Sequence, residues 1–218
     1  VGTPVGSPAS NVTFANLRAA SSDDFDALLA IYTEALPTRE QKTSSELRTM
    51  CDADDYRVVV AKAGEAIVGF FVLFLGQNVA LLEYMAVAKA KRGRGYGASL
   101  YRRARREAGS NVPLLLEVDS DREPAADREL RTRRKAFYRR LGCKVLEGLE
   151  YVLPLPGQGR VPAMDLLVDS GGEPIDSVPK PLVTTWLREI YTQVYSCPVD
   201  DPRLLGMIAS LPQNTRLT

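Results

Sequence analysis

The chain contains no histidine. That excludes a histidine-based general-base triad and any zinc site of the common imidazole type. Its three cysteines, Cys51, Cys143 and Cys197, are widely spaced and odd in number, so neither a disulfide framework nor a cysteine-rich metal site is expected. No apolar run approaches the length of a membrane span, and the first residues carry no signal-peptide pattern. A cytoplasmic protein with reduced thiols is the expectation. Nor is there an excess of charge of one sign: the formal net charge is +1, which gives no global attraction to nucleic acid or an anionic membrane. Arginine is concentrated locally, over residues 91–106 and 128–140, which predicts two helices with basic, solvated faces. With no recognisable nucleic-acid motif beside them, nucleic acid is a disfavoured partner. What remains is 218 residues, 45% hydrophobic and 25% charged, enough for one sizeable core or one domain with an appendage.

Residues 1–11 are rich in Gly, Pro and Ser and read as a disordered lead-in. Residues 12–19 form a first strand. Ser21 to Asp24 cap a helix whose apolar side carries Phe25, Leu28, Leu29, Ile31 and Tyr32, ended by Pro37. A short helix over 43–50 follows, then strands over 56–63 and 67–75 joined by a Gly64-Glu65 turn. Residues 80–87 (ALLEYMAV) and 113–118 (PLLLEV) read as buried strands. A basic helix over 125–141 closes at Gly142, and an antiparallel pair over 144–153 and 163–168 ends the regular pattern. Residues 170–181 read as a linker to a helical extension, 182–218. The extension's first helix, over 182–195, carries Trp186, Leu187, Ile190 and Val194 on one face, and a second helix follows over 203–210. The architecture expected is a mixed α/β fold with a largely antiparallel sheet of six to seven strands flanked by helices, spanning 12–169.

The chemistry-bearing feature is residues 91–98, KRGRGYGA, which follow the strand over 80–87 and open an amphipathic helix. Gly93, Gly95 and Gly97 let the backbone bend and present its N–H groups to an anion at the helix start. Arg92 and Arg94 add charge-assisted donors. A pyrophosphate is the ligand this suits.

Two separated motifs resemble the GCN5-related N-acetyltransferase (GNAT) superfamily. Arg92-Gly93-Arg94-Gly95-Tyr96-Gly97 fits the family's Arg/Gln-x-x-Gly-x-Gly/Ala acetyl-CoA loop, and Ala136-Phe137-Tyr138-Arg139-Arg140-Leu141-Gly142-Cys143 resembles its A-x-F-Y-x-x-x-G-F signature, with Cys143 in place of the usual aromatic. The order of elements agrees over about three quarters of the chain. The resemblance implies acetyl-CoA as co-substrate and no metal. Pantetheine would lie along the backbone of Met85, Ala86 and Val87, and the pyrophosphate on the amides of Arg92 through Ala98. Tyr138 matches the family tyrosine near the CoA sulfur, assigned as the acid for the leaving thiolate. Arg131 stands near the place of a common asparagine, and with Arg134 is a candidate to reach a phosphate or an acidic acceptor.

Glu83 is the base candidate, because a carboxylate inside an apolar strand is costly unless it is paired or faces a cleft. The structural alternative is a buried ion pair with an arginine of the basic helix. In family members with a glutamate base on this strand it often lies two positions earlier, where this chain has Leu81. Glu117, in PLLLEV, is the second choice. The reaction implied is direct acetyl transfer to a primary amine, of a small molecule or a protein, in a ternary complex. Residues 38–50 and 154–162 are the expected acceptor loops. Two other readings compete. One is a non-catalytic CoA-binding or interaction module. The other is a dinucleotide site, since Gly93-x-Gly95-x-x-Ala98 matches that fingerprint and Glu117 has the matching offset, although five residues separate Val87 from Gly93. The extension's apolar face predicts docking on the domain or on a partner subunit, as in a homodimer.

Overall fold

The computed structural model describes residues 12–19, 22–155, 163–173 and 175–218. The lead-in over 1–11 and most of the expected acceptor loop over 154–162 lie outside them. Among the described residues, one sheet runs in the order β1 (Val12–Asn16), β2 (Tyr56–Ala63), β3 (Ala66–Leu75), β4 (Ala80–Val87), β5 (Leu114–Asp119), β7 (Met164–Asp169), β6 (Lys144–Val145), and β8 (Ser177–Pro179) pairs separately with β9 (Asn214–Arg216). β1–β2, β2–β3, β5–β7, β6–β7 and β8–β9 pair antiparallel. The mixed, mostly antiparallel α/β fold expected from the sequence is what is found.

The chain gathers into two units, one of Val1–Leu75 with Leu82–Glu107, the other of Gly76–Leu81 with Ala108–Thr218. In the first, β1 (Val12–Asn16) pairs with β2 (Tyr56–Ala63), and β2 with β3 (Ala66–Leu75). β1 is shorter than the strand expected over 12–19, because the chain turns into a short 3-10 segment at Leu17. The β2–β3 turn holds Gly64 at φ 63°, a conformation glycine adopts without a Cβ clash. Helices α1 (Ser22–Ala35) and α2 (Ser44–Asp52) bury Phe25, Leu28, Tyr32, Leu47 and Met50 against Val58, Val60, Phe70 and Val72. α2 begins where Thr43 and Glu46 form a reciprocal cap: Glu46 N donates to Thr43 Oγ1 at 3.2 Å, and Thr43 N to Glu46 Oε2 at 2.6 Å. β4 (Ala80–Val87) contributes to both units, and α3 (Tyr96–Ala108) completes the first with Leu100, Tyr101 and Ala104 buried.

In the second unit, β5 (Leu114–Asp119) pairs along its whole length with β7 (Met164–Asp169), from Leu114↔Asp169 to Asp119↔Met164. α4 (Arg128–Arg139) starts three residues later than expected. The strand expected over 144–153 is cut to β6 (Lys144–Val145), with isolated bridges at Leu146 and Tyr151. Gly148, at φ 77°, turns the chain off the ladder. Within the expected linker, Ser177–Pro179 forms β8 and pairs with β9 (Asn214–Arg216). α5 (Lys180–Glu189) continues as a π-helical segment over Ile190–Val194, and α6 is Pro202–Ser210.

The extension is tied to the turn after β3 by a buried carboxylate. Glu189, 6% exposed, accepts from the amides of Gln77 and Asn78, and from Asn78 Nδ2 at 3.0 Å. Gly76 leaves the room for it: a Cβ there would lie 2.2 Å from Glu189 Oε1. Trp186, Leu187, Ile190 and Val194, expected on one apolar face, are all buried, with Tyr191 beside them.

Candidate acyl-transfer site

The glycine-rich turn is set by the end of β4 and the start of α3. After β4 a 3-10 turn over Lys89–Lys91 leads to Gly93 at φ 77° and Gly95 at φ 84°, both left-handed. Ser99 N bonds back to Gly95 O at 3.2 Å. By helix geometry the amides of Tyr96, Gly97 and Ala98 therefore have no acceptor inside α3. No acidic residue stands in the first turn of α3, so the positive end of its dipole is uncompensated there. Tyr96 is buried and anchors the turn, while Arg94 is exposed. Arg92 Nε donates to Val87 O at 3.2 Å, which folds this arginine onto the strand end. Met85 and Val87 are half-buried and Ala86 is buried, at the end of β4.

Gly69 positions this turn although it lies outside both motifs. A Cβ at this position of β3 would lie 2.6 Å from Ala86 O, 2.9 Å from Leu100 Cδ1 and 3.2 Å from Val87 Cα. Its missing side chain lets β4 and α3 approach β3 closely, which fixes where the loop starts. An isolated glycine within the apolar run IVGFFVLFL was the available signal.

Glu83 lies in a buried cluster of the same unit. Its side chain is 2% exposed, and Lys42 Nζ stands 3.1 Å from Oε1. The buried ion pair therefore forms with a lysine of the expected acceptor loop, not with an arginine of the basic helix. Burial pushes the Glu83 carboxyl up, while the Lys42 ammonium and the hydroxyls of Tyr84 and Tyr56 draw it back. Lys42 is itself held: its amide donates to the Tyr32 hydroxyl at 2.7 Å. Tyr84 donates to Glu40 O at 3.2 Å and meets Tyr32 edge-on, with ring centroids 5.2 Å apart. Glu83 and Tyr84 are consecutive, yet both side chains reach this loop, which departs from the strict alternation of a flat strand.

In the second unit, Tyr138 is the one buried residue of α4, and burial raises its phenol, with Arg134 lowering it and Cys143 raising it further. Its ring meets Phe137 edge-on at 5.1 Å. The phenol holds its proton throughout the neutral range, as an acid or hydrogen-bond donor must. The arginines expected to reach outward are tethered instead. Arg131 pairs with Asp127 at 3.0 Å and donates to Ser120 O, and Arg134 pairs with Asp119 at 2.8 Å. Glu117 accepts from the hydroxyls of Tyr151 and Tyr195.

The cysteines carry no sign of nucleophilic activation. Burial pushes the Cys51 thiol up to about 11 and raises Cys197, while Cys143 is buried. Among the described residues no group of three or more His, Cys, Asp or Glu could hold a metal ion, and no helix is long and apolar enough to cross a membrane.

The model of the acetyltransferase (GNAT) domain matches residues 54–144. A GNAT-family protein from Bacteroides thetaiotaomicron superposes with a TM-score of 0.68 at 21% identity, over 85% of this chain and 99% of its own. An aminoglycoside 6'-N-acetyltransferase complexed with coenzyme A gives 0.60 at 17% identity, over 75% and 99%. The ribosomal-protein-S18-alanine N-acetyltransferase from Escherichia coli gives 0.55 at 16% identity, over 75% and 96%. No curated protein sequence matches. The chain has the GNAT acetyltransferase fold, and at these identities the structural likeness is one of fold.

Proposed function

We propose that this chain transfers an acetyl group from acetyl-CoA to a primary amine, directly and within a ternary complex. The observation that carries the reading is the turn itself: two left-handed glycines ahead of the amides of Tyr96, Gly97 and Ala98, which have no acceptor inside α3, with Arg94 exposed beside them and no acidic residue in the first turn of the helix. A helix N-terminus opened by such a turn is the kind of site that takes a pyrophosphate. The glycine turn opens α3 after a 3-10 segment, not at the strand end, which favours a CoA arm along Met85, Ala86 and Val87 over a dinucleotide.

In this scheme the amine nitrogen forms a bond to the thioester carbonyl carbon and the C–S bond breaks. Glu83 takes the ammonium proton; its raised carboxyl makes it a stronger base than a solvated glutamate. Tyr138 supplies a hydrogen bond, and finally a proton, to the departing thiolate. The raised thiols are consistent with transfer that uses no cysteine intermediate. One observation favours a second reading, a CoA-binding module without turnover: Glu83 is closed off and already paired with Lys42. Calorimetry with acetyl-CoA and free CoA tests the cradle, and thiol release across a panel of amines tests turnover. Saturable heat and amine-dependent thiol release are expected. Absence of heat at millimolar coenzyme overturns both readings, and heat without thiol release leaves the binding module.

A further inference from the structure

The amine that Glu83 faces in this structure belongs to the chain itself. Lys42 Nζ, a primary amine on a four-carbon stem, stands 3.1 Å from Glu83 Oε1. The Glu83 side chain is 2% exposed and that of Lys42 23%, so the amine is the more accessible partner. The pair, the end of β4 and the glycine turn all belong to one unit, since Lys42 falls within Val1–Leu75 and the rest within Leu82–Glu107. Four consecutive residues, 40–43, hold the lysine there. Gln41 Nε2 donates to Leu36 O at 2.7 Å and to Thr33 O at 3.2 Å, at the end of α1. The Lys42 amide donates to the Tyr32 hydroxyl, and Thr43 caps α2. Tyr84, next to Glu83 on β4, donates to Glu40 O.

The pair differs from the other lysine–carboxylate pair of the same unit. Lys62 Nζ donates to both oxygens of Asp24, at 2.7 and 2.6 Å. Among the described residues, neither oxygen of Glu83 accepts a well-directed hydrogen bond. A buried ion pair that serves stability alone needs its lone pairs filled. A base needs one of them open to a proton.

We propose that Lys42 is itself an acyl acceptor, which the chain acetylates in cis from bound acetyl-CoA. The inference rests on the transfer reading, in which the coenzyme arm lies along Met85, Ala86 and Val87. Glu83 stands two residues up the same strand, about 7 Å from Met85 along the backbone. One ammonium proton of Lys42 passes to Glu83. The freed nitrogen bonds to the thioester carbonyl carbon as the C–S bond breaks, and a second proton leaves with the thiolate as CoA–SH. A neutral amide and a neutral carboxylic acid replace two charges, the outcome that burial favours.

The test incubates the full chain with deuterium-labelled acetyl-CoA and maps the label by peptide mass spectrometry, the deuterium setting it apart from acetyl groups acquired during expression. Lys89, exposed in the turn after β4, is the internal reference for unassisted chemistry. Lys42 is expected to label first, at a rate that saturates with acetyl-CoA and does not change with chain concentration. Lys42→Arg, which keeps a cation opposite Glu83, removes this fast phase, and Glu83→Gln slows it by about a hundredfold. Three results overturn the proposal: label appearing first on Lys89, a rate per chain that rises with chain concentration, or equal labelling of Lys42 by S-acetyl-N-acetylcysteamine, a thioester without the diphosphate. The wild-type map decides this even if a variant fails to fold. Calorimetry and thiol release on the same samples separate the two ideas. Acetyl-CoA heat and amine-dependent thiol release with no label on Lys42 sink this proposal alone. Label on Lys42 with no thiol release to any added amine supports it and sinks transfer to free amines, and absence of acetyl-CoA heat sinks both.

Discussion

Glu83 and Glu117 both interrupt apolar strands, and the chain treats them in opposite ways. Glu83 is closed in and answered by a cation, Lys42, brought by the loop between α1 and α2. Glu117 is left half-exposed and answered by neutral phenols from segments far along the chain. A cation compensates a buried charge at that spot, whereas phenols orient a carboxylate through hydrogen bonds. The first arrangement shields a carboxylate that is withdrawn from water; the second fixes the orientation of one at the surface.

The largest effect that sharpens this contrast should come from Lys42→Met. Removing one partner of a buried pair costs on the order of 3–5 kcal/mol, read as a drop in thermal midpoint. The sign with pH is fixed by the raised Glu83 carboxyl. The folded chain binds this proton more tightly than the unfolded one, so stability falls as pH rises from the ordinary carboxylate value toward the folded one. Losing Lys42 raises the carboxyl further, so the deficit should be greatest at neutral and higher pH and should shrink as the medium is acidified. A deficit independent of pH would mean that Glu83 is not what Lys42 answers.

Glu189→Ala comes next. It removes a buried acceptor from three donors of the turn and should cost about 3 kcal/mol, seen in chemical denaturation. A loss confined to a few tenths would mean that the extension is not held through this carboxylate. Glu83→Gln should lower kcat by about a hundredfold if Glu83 takes the proton, with KM for acetyl-CoA unchanged. Unchanged turnover with a lowered thermal midpoint would reduce Glu83 to a structural ion pair. The smallest effects separate two glycines. Gly93 has open space around a Cβ but a left-handed backbone, so Gly93→Ala should cost about 1–2 kcal/mol of strain. Gly69 has no left-handed φ but no room, and the Ala86 carbonyl would have to yield well beyond a few tenths of an ångström, so Gly69→Ala should displace β4 and weaken acetyl-CoA binding by about fivefold in calorimetry, the low end of what overpacking costs. Unaltered binding by Gly69→Ala would mean that the approach of β3 to β4 does not set the cradle.

What could be read in advance was local. ALLEYMAV, bounded by turn residues, is β4 over Ala80–Val87, and the Thr43–Glu46 cap marks the start of α2 one residue after the expected position. The bend at Gly93 and Gly95 was legible because its conformation is set by adjacent residues. The partners of the carboxylates were not: Lys42 lies far from Glu83 in sequence, and Tyr195 far from Glu117, with no periodicity linking either pair. β8 was read as linker because three residues that pair with a strand near position 215 carry no alternation of their own. The π turn was invisible for a related reason. Its apolar spacing differs from that of an α-helix by one residue, and the tertiary destination of Tyr191 and Tyr195 sets the winding.

The last described residues do something that β6 needs. Val145 N bonds to Thr218 O at 2.8 Å, Thr218 N returns to Val145 O at 3.1 Å, and Glu147 N bonds to Arg216 O at 2.9 Å. The flank of β6 that does not face β7 is thereby occupied. Shortening the chain by five residues would leave those amides and carbonyls as a bare template for strand addition, and the product should self-associate where the intact chain stays dispersed. Light scattering of the shortened chain would register it.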